Sequence, residues 1–172
     1  GTENKNGMAP TRMLTTTITD QLRIHYQFKS KVIAVSLKDR GAVLPGGHTA
    51  NAAYWYEGGS TGDWISSTYY MDELPKWVQK YNKSKAVERY KKVWETLEPL
   101  NTYTESGSDQ NAYEGLSKGE EHSGFPHYLD KLWDQNGAFS SLSATPFGNS
   151  ILTDFALEAL AAEELGTDEI PD

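Results

Sequence analysis

Residues 31–37, with the sequence KVIAVSL, constrain the fold of this chain more than any other segment. Their β-branched side chains lack the polar alternation of a half-exposed strand, which is typical of a strand buried on both faces of a parallel sheet. An amphipathic helix is predicted just before this strand, over residues 15–28, because Ile18 and Leu22 recur at helical spacing. A helix that leads into a buried strand indicates an α/β layer.

Two cations follow the predicted strand directly. Lys38, Asp39 and Arg40 come first, and the helix breakers Gly41 and Pro45 follow. In open α/β sheets, ligands bind beyond the carboxyl ends of the strands. With one residue between them, Lys38 and Arg40 would point the same way from an extended segment, and such a pair suits phosphate oxygens. The local pattern fits a solvated turn with a surface ion pair through Asp39 equally well.

The middle of the chain has a different pattern. Aromatic runs over residues 51–57 and 63–70 flank a glycine-rich connection that is typical of an antiparallel hairpin. Helices are predicted around residues 74–78 and over residues 84–97, and a long surface loop over residues 100–124. A final helix with a broad apolar side follows residues 145–149 and ends near Gly166.

The composition excludes several functions. The chain has 16 Lys+Arg against 24 Asp+Glu, and the cations are scattered, which argues against nucleic acid as a partner. The absence of cysteine excludes disulfides, thiolate metal sites and a thiol nucleophile. No apolar run approaches the roughly 20 residues that cross a bilayer, so no membrane span is predicted. The 12% aromatic content is that of an ordered globular domain.

Two motifs could carry catalytic or metal-binding chemistry, but their sequence context argues against both. Residues 58–62 match G-x-S-x-G, but a strand follows the serine where a nucleophile elbow needs a helix. The histidines show no spacing typical of a metal site. We interpret His122 and His127, with Glu120 and Glu121, as solvated loop residues. These motifs therefore predict neither a nucleophile nor a metal ligand.

Three ordered blocks resemble a known family: SLKDRGAVLPGGH at 36–48, STYYMDELPKWV at 67–78 and TPFGN at 145–149. They resemble the bacterial phosphate-irrepressible alkaline phosphatases, which belong to the type I phosphodiesterase/nucleotide pyrophosphatase branch of the alkaline phosphatase superfamily. The similarity spans most of the chain and is weakest over residues 106–123.

The resemblance implies a zinc-dependent hydrolase of phosphate monoesters. The family is implied to use two zinc ions, a threonine nucleophile, and an asparagine, a lysine and an arginine that hold the phosphoryl oxygens. Lys38 and Arg40 match the Lys-x-Arg of the family, whereas no nucleophile and no metal ligand carries over. We therefore expect the chain to be a central segment of a longer enzyme that binds no zinc and is inactive by itself.

The predicted fold is α/β, with α+β character within the segment: one core strand with flanking helices, and an inserted cap domain whose antiparallel aromatic hairpin packs on helices. Residues 1–47 would belong to the catalytic core, residues 48–143 to the cap, and residues 144–172 to a helix returning to the core. The expected partner is a small-molecule phosphate ester. The resemblance implies a periplasmic or secreted protein.

Two alternative functions stay open at this point. One is a phosphodiesterase or nucleotide pyrophosphatase of the same superfamily. The other is a non-catalytic binding module, in which Tyr54, Trp55, Tyr56 and Trp64 of the hairpin contact a glycan, a lipid headgroup or a protein. Aromatic residues in such a hairpin more often build the core of a small sheet.

Overall fold

The computed structural model describes residues 8–172, so residues 1–7 of the predicted core segment lie outside the described part. The regular elements of the described part are, in chain order, α1 (Ile18–His25), β1 (Ile33–Ser36), α2 (Asp39–Gly46), β2 (Ala52–Gly58), β3 (Asp63–Ile65), α3 (Lys76–Ser84) and α4 (Pro146–Ala162). Short 3-10 turns lie at Pro10–Arg12, Ala86–Tyr90, Leu100–Thr102, Asp134–Asn136 and Ala138–Ala144.

The strands form one mixed sheet in the order β1-β2-β3. β1 runs parallel to β2, with Ile33 opposite Ala52, and β2 runs antiparallel to β3, with Trp55 opposite Ile65. The predicted α/β class and the aromatic hairpin are confirmed. The division into core, cap and returning helix stays a prediction.

β1 is less buried than the sequence predicts. All of its residues are only half-buried, because β1 pairs with β2 alone and forms one edge of the described sheet. A strand at an edge keeps one row of backbone groups and part of its side-chain surface uncovered.

One helix forms that the sequence did not predict, and one predicted helix does not form. The predicted breakers after Arg40 lie inside α2, which contains Pro45 and ends before Gly47, whose φ is 75°. The helix predicted over residues 84–97 does not form, because α3 ends at a left-handed Lys85 and the chain then pairs Trp94 with His127. The apolar spacing in that segment instead reflects separate packing against the core, and such tertiary contacts override local helix preference.

The core is built around Phe155 of α4, which is fully buried. Its ring stacks on Trp64 at a centroid distance of 4.1 Å and contacts Trp77 at 5.2 Å, Tyr81 at 5.3 Å and Tyr54 at 5.5 Å. Ring contacts of this kind stabilise a core beyond the area that they bury. One helix is thereby fixed to the sheet and to α3 at once.

The aromatic hairpin is buried: Tyr54, Tyr56 and Trp64 belong to the core around Phe155, and Trp55 belongs to a second buried cluster with Ala42, Val43 and Ala53. The exposed fraction is 1% for Tyr54, 9% for Trp55, 5% for Tyr56 and 1% for Trp64. These side chains present no surface to a ligand, so the hypothesis of a binding module built on them is wrong.

A buried carboxylate joins α1 to the segment after α2. Asp20 accepts hydrogen bonds from the backbone N–H of Thr17 at 3.0 Å, and from the N–H and the hydroxyl of Thr49, both at 2.8 Å. Thr17 in turn caps α1 through the backbone N–H of Asp20. Burial alone would raise the pKa of Asp20, but these hydrogen bonds to the charged form lower the pKa to about 2.

Replacing Phe155 by alanine should lower the free energy of unfolding by about 3–5 kcal/mol, because the cavity left behind faces several rings that cannot all move in. Leu157→Ala is the matched control on the same helix, since Leu157 is 59% exposed; its effect should stay within about 0.5 kcal/mol. Urea unfolding followed by tryptophan fluorescence measures both. Equal losses for the two variants would contradict this description of the core.

The Asp20 carboxylate should make stability depend on pH in acid. Its folded pKa of about 2 lies below the ordinary value of 3.8, so its contribution is present above about pH 4 and is lost as the pH falls towards 2. The contribution at pH 7 should be about 2 kcal/mol. The stability difference between the parent protein and Asp20→Asn should therefore be constant above about pH 5 and should shrink between about pH 4 and pH 2. The exposed Asp130→Asn is the control, and a difference for Asp20→Asn that does not change with pH would contradict the assignment.

Candidate functional site

The cations predicted as a site lie where β1 passes directly into α2. Lys38 is the N-cap residue of α2, with φ −133° and ψ 145°, and its carbonyl accepts hydrogen bonds from Gly41 at 3.0 Å and Ala42 at 3.2 Å. Its own N–H donates to Ser36 Oγ at 3.2 Å, which ties the turn to the end of the strand. The strand end and the helix start are therefore one compact unit.

The geometric premise of the sequence prediction is wrong in one respect. Only Lys38 has an extended backbone, whereas Arg40 lies in the first turn of α2. Residues two positions apart around a helix start do not share a face, so the two side chains do not run parallel. What they share is the helix N-terminus.

That helix end concentrates positive charge in a chain whose net charge is −8. Lys38 and Arg40 are both exposed. The N-terminus of a helix carries about half a positive charge and unpaired N–H groups, which favour anions. The arrangement therefore suits a phosphate or another compact anion.

The surface ion pair through Asp39, which the sequence left open as an alternative, does not form among the residues that the structure describes. Their ion pairs join Lys85 to Asp63, Arg89 to Asp154 and His127 to Glu120. The Asp39 carboxylate instead accepts a hydrogen bond from the backbone N–H of Arg40 at 2.7 Å. The Asp39 carboxylate therefore pairs with a backbone N–H of the first turn of α2 and not with a cationic side chain.

Glycine sets the position of this helix end. A Cβ added at Gly41 would lie 2.3 Å from Ser36 Oγ, and one at Gly46 would lie 3.0 Å from the Ala34 Cβ. Only a glycine lets the first turn of α2 approach the end of β1 so closely. The close packing of α2 on β1 therefore fixes the backbone positions of Lys38 and Arg40.

The interpretation of His127 and Glu120 as solvated is wrong. Their side chains are 13% and 9% exposed, and His127 Nδ1 lies 2.7 Å from Glu120 Oε1. The His127 ring also packs against Trp94 and Phe125, at centroid distances of 4.9 and 4.8 Å. Burial alone would raise the pKa of Glu120, but hydrogen bonds from His127 and from the backbone of Ser117 hold it below its ordinary value.

One sequence pattern predicts the structural role of Asp20, and none predicts the pairing of His127 with Glu120. Thr17 followed three residues later by an acidic side chain is the pattern of a capping box. The backbones of Trp94 and His127 exchange two hydrogen bonds, each of 2.9 Å, which hold His127 beside Trp94 across a long sequence separation.

Within residues 8–172, no three His, Asp or Glu side chains gather as a metal site requires. None of the helices in this part combines the length and the apolar composition that a bilayer crossing needs.

The chain is similar in sequence to three known proteins, two of which are named alkaline phosphatases. It is 49% identical over 172 residues to a protein named calcium-transporting ATPase from Myroides odoratus, covering 99% of this chain and 31% of that protein. It is 48% identical over 164 residues to alkaline phosphatase PhoV from Synechococcus elongatus, covering 95% and 29%. It is 40% identical over 173 residues to alkaline phosphatase PafA from Elizabethkingia meningoseptica, covering 99% and 31%. No family model matches.

The fold agrees with these sequence matches. The crystal structure of wild-type PafA superposes with a TM-score of 0.88 at 38% identity, covering 95% of this chain and 31% of that one. A structure of a PafA variant, substituted at a threonine, an asparagine, a lysine and an arginine, superposes with the same TM-score of 0.88 at 39% identity. The chain spans less than a third of the length of the relatives that it matches.

Replacing Gly41 by alanine should destabilise the protein by about 1–3 kcal/mol, because the new methyl group collides with Ser36 Oγ. Adding Ser36→Ala should recover part of this loss, since the closest atom is then gone and the Ser36 Cβ lies 3.2 Å away. Urea unfolding of the parent, the single variants and the double variant measures this coupling. If the effects of Gly41→Ala and Ser36→Ala simply add, the close approach of α2 to β1 is contradicted.

Proposed function

We propose that this chain, which belongs to the alkaline phosphatase family over the length that it matches, supplies part of the phosphate-binding site of a phosphoric monoester hydrolase. The observation that carries the proposal is the position of Lys38 and Arg40 at the N-terminus of α2, directly after β1. Both side chains are exposed and free to reach an anion beyond the strand end.

The proposed role of these cations is electrostatic. As the phosphoryl group passes from the leaving group to a nucleophile, its nonbridging oxygens carry negative charge. A lysine and an arginine held by packing at the helix end neutralise that charge without reorganising during the reaction. Two cations also gain more from a doubly charged monoester than from a singly charged diester, because the Coulomb energy scales with the product of the charges.

The spacing of two substituted residues in a PafA variant supports this assignment. In the PafA variant, one residue separates the substituted lysine from the substituted arginine, as Asp39 separates Lys38 from Arg40 here. Two relatives carry the name alkaline phosphatase and a third is named an ATPase. Both names describe cleavage of a phosphoryl group, so the proposed role suits either.

We further propose that the intact protein uses a threonine nucleophile and two zinc ions and is periplasmic or secreted, as the family resemblance implies. The described residues do not fit a zinc site, since they bring no three suitable ligands together. The proposed role of this chain therefore involves no bound metal. Its own contribution is to bind and orient the phosphoryl oxygens.

The double substitution Lys38→Ala, Arg40→Ala in the full-length protein should lower kcat/KM for a phosphate monoester such as p-nitrophenyl phosphate by about 10²-fold or more. The loss for the diester bis-p-nitrophenyl phosphate should be much smaller, because the diester carries only one negative charge. Steady-state rates on both substrates measure the ratio.

The control is Lys83→Ala, Arg12→Ala, which removes two exposed cations far along the chain from the helix end. It should change neither rate appreciably. Equal losses on both esters in the Lys38, Arg40 variant would overturn the proposed role, and a higher parent activity on the diester would favour the phosphodiesterase alternative.

A further inference from the structure

A cavity of about 780 Å³, whose lining includes neither Lys38 nor Arg40, lies between the loop over residues 106–117 and the segment that carries Phe125, His127 and Tyr128. Trp94 and the start of α4 at Thr145 complete its wall. Its volume falls within the roughly 300–1,000 Å³ of small-molecule sites.

The charges around the cavity have one sign. No lysine and no arginine lines it, whereas the carboxylates of Asp109, Glu114 and Glu120 do. Asp109 Oδ2 accepts a hydrogen bond from the N–H of Phe125 at 2.9 Å, and Glu120 accepts from the N–H of Ser117 at 2.9 Å and contacts His127. An anionic ligand is therefore disfavoured. Asp109 and Glu120 already accept hydrogen bonds within the protein, so their oxygens are less available to bind a ligand directly.

The remaining wall combines aromatic rings and aliphatic side chains with uncharged polar groups. Tyr113 is 88% exposed and Tyr128 is 40% exposed, so ring faces are open to a ligand. The indole N–H of Trp94 and Nε2 of His127 have no hydrogen-bond partner within the described residues. Serine hydroxyls and the amide of Asn111 add both donors and acceptors.

We propose that this cavity binds a saccharide. A sugar ring is uncharged, presents apolar C–H faces to aromatic rings, and carries hydroxyl groups that both donate and accept hydrogen bonds. Each property matches one part of the wall: the absence of cations, the open tyrosine rings and the mixed donors and acceptors. The proposal does not depend on the phosphatase function.

The test is saturation-transfer difference NMR on the full-length protein with a neutral probe, methyl β-D-glucopyranoside. Because this probe has no phosphate group, its binding is independent of the Lys38 and Arg40 site. The expected dissociation constant is about 1–10 mM, typical of a single small ligand in an open site. Tyr113→Ala should weaken binding about fivefold or more, because the exposed ring is lost while the fold is untouched.

Tyr103→Ala is the matched control. Tyr103 is 40% exposed and lines a neighbouring groove of about 340 Å³, but not the cavity. Its substitution should leave the dissociation constant unchanged. The proposal is overturned if the parent protein shows no transfer to the glycoside up to about 50 mM, if Tyr113→Ala binds as tightly as the parent, or if choline displaces the glycoside.

Discussion

The stacking of Phe155 on Trp64, at 4.1 Å between ring centroids, is the contact on which the rest of the structure depends. It joins the last helix to the short strand β3 across a long stretch of chain. Trp77 and Tyr81 of α3 pack on the same ring, so the sheet, α3 and α4 meet at one point. The segment between α3 and α4 forms only short 3-10 turns and the isolated pairing of Trp94 with His127. Its position therefore depends on this core.

The same helix connects the two candidate sites. A Cβ at Gly148 of α4 would lie 3.1 Å from Leu37 Cδ1, so the start of α4 touches the residue before Lys38. Thr145 caps this helix and also lines the cavity. Both the cationic helix end and the cavity wall thus rest against the first turn of α4, whose position the Phe155 contact holds.

The sequence predicted correctly those elements whose local pattern agrees with their tertiary packing. α1 and α4 have apolar residues at helical spacing and real start signals, and both form. α2 was missed because glycine and proline argue against a helix locally, yet Gly41 is required by the approach to Ser36. The helix predicted over residues 84–97 does not form, for the opposite reason. Its apolar residues have helical spacing, but they contact distant segments instead, as Trp94 pairs with His127.

The sequence by itself determined the α/β class, the aromatic hairpin and the pair of cations after the strand, because each depends on residues close together in the chain. Tertiary structure alone decided how the cations are presented, because the close packing of α2 on β1 turns an extended segment into a helix start. It also decided that Glu120 and His127 are buried together and that a cavity lies beside them. Both features depend on the pairing of Trp94 with His127, which joins segments far apart in the sequence, and no local spacing encodes such a contact.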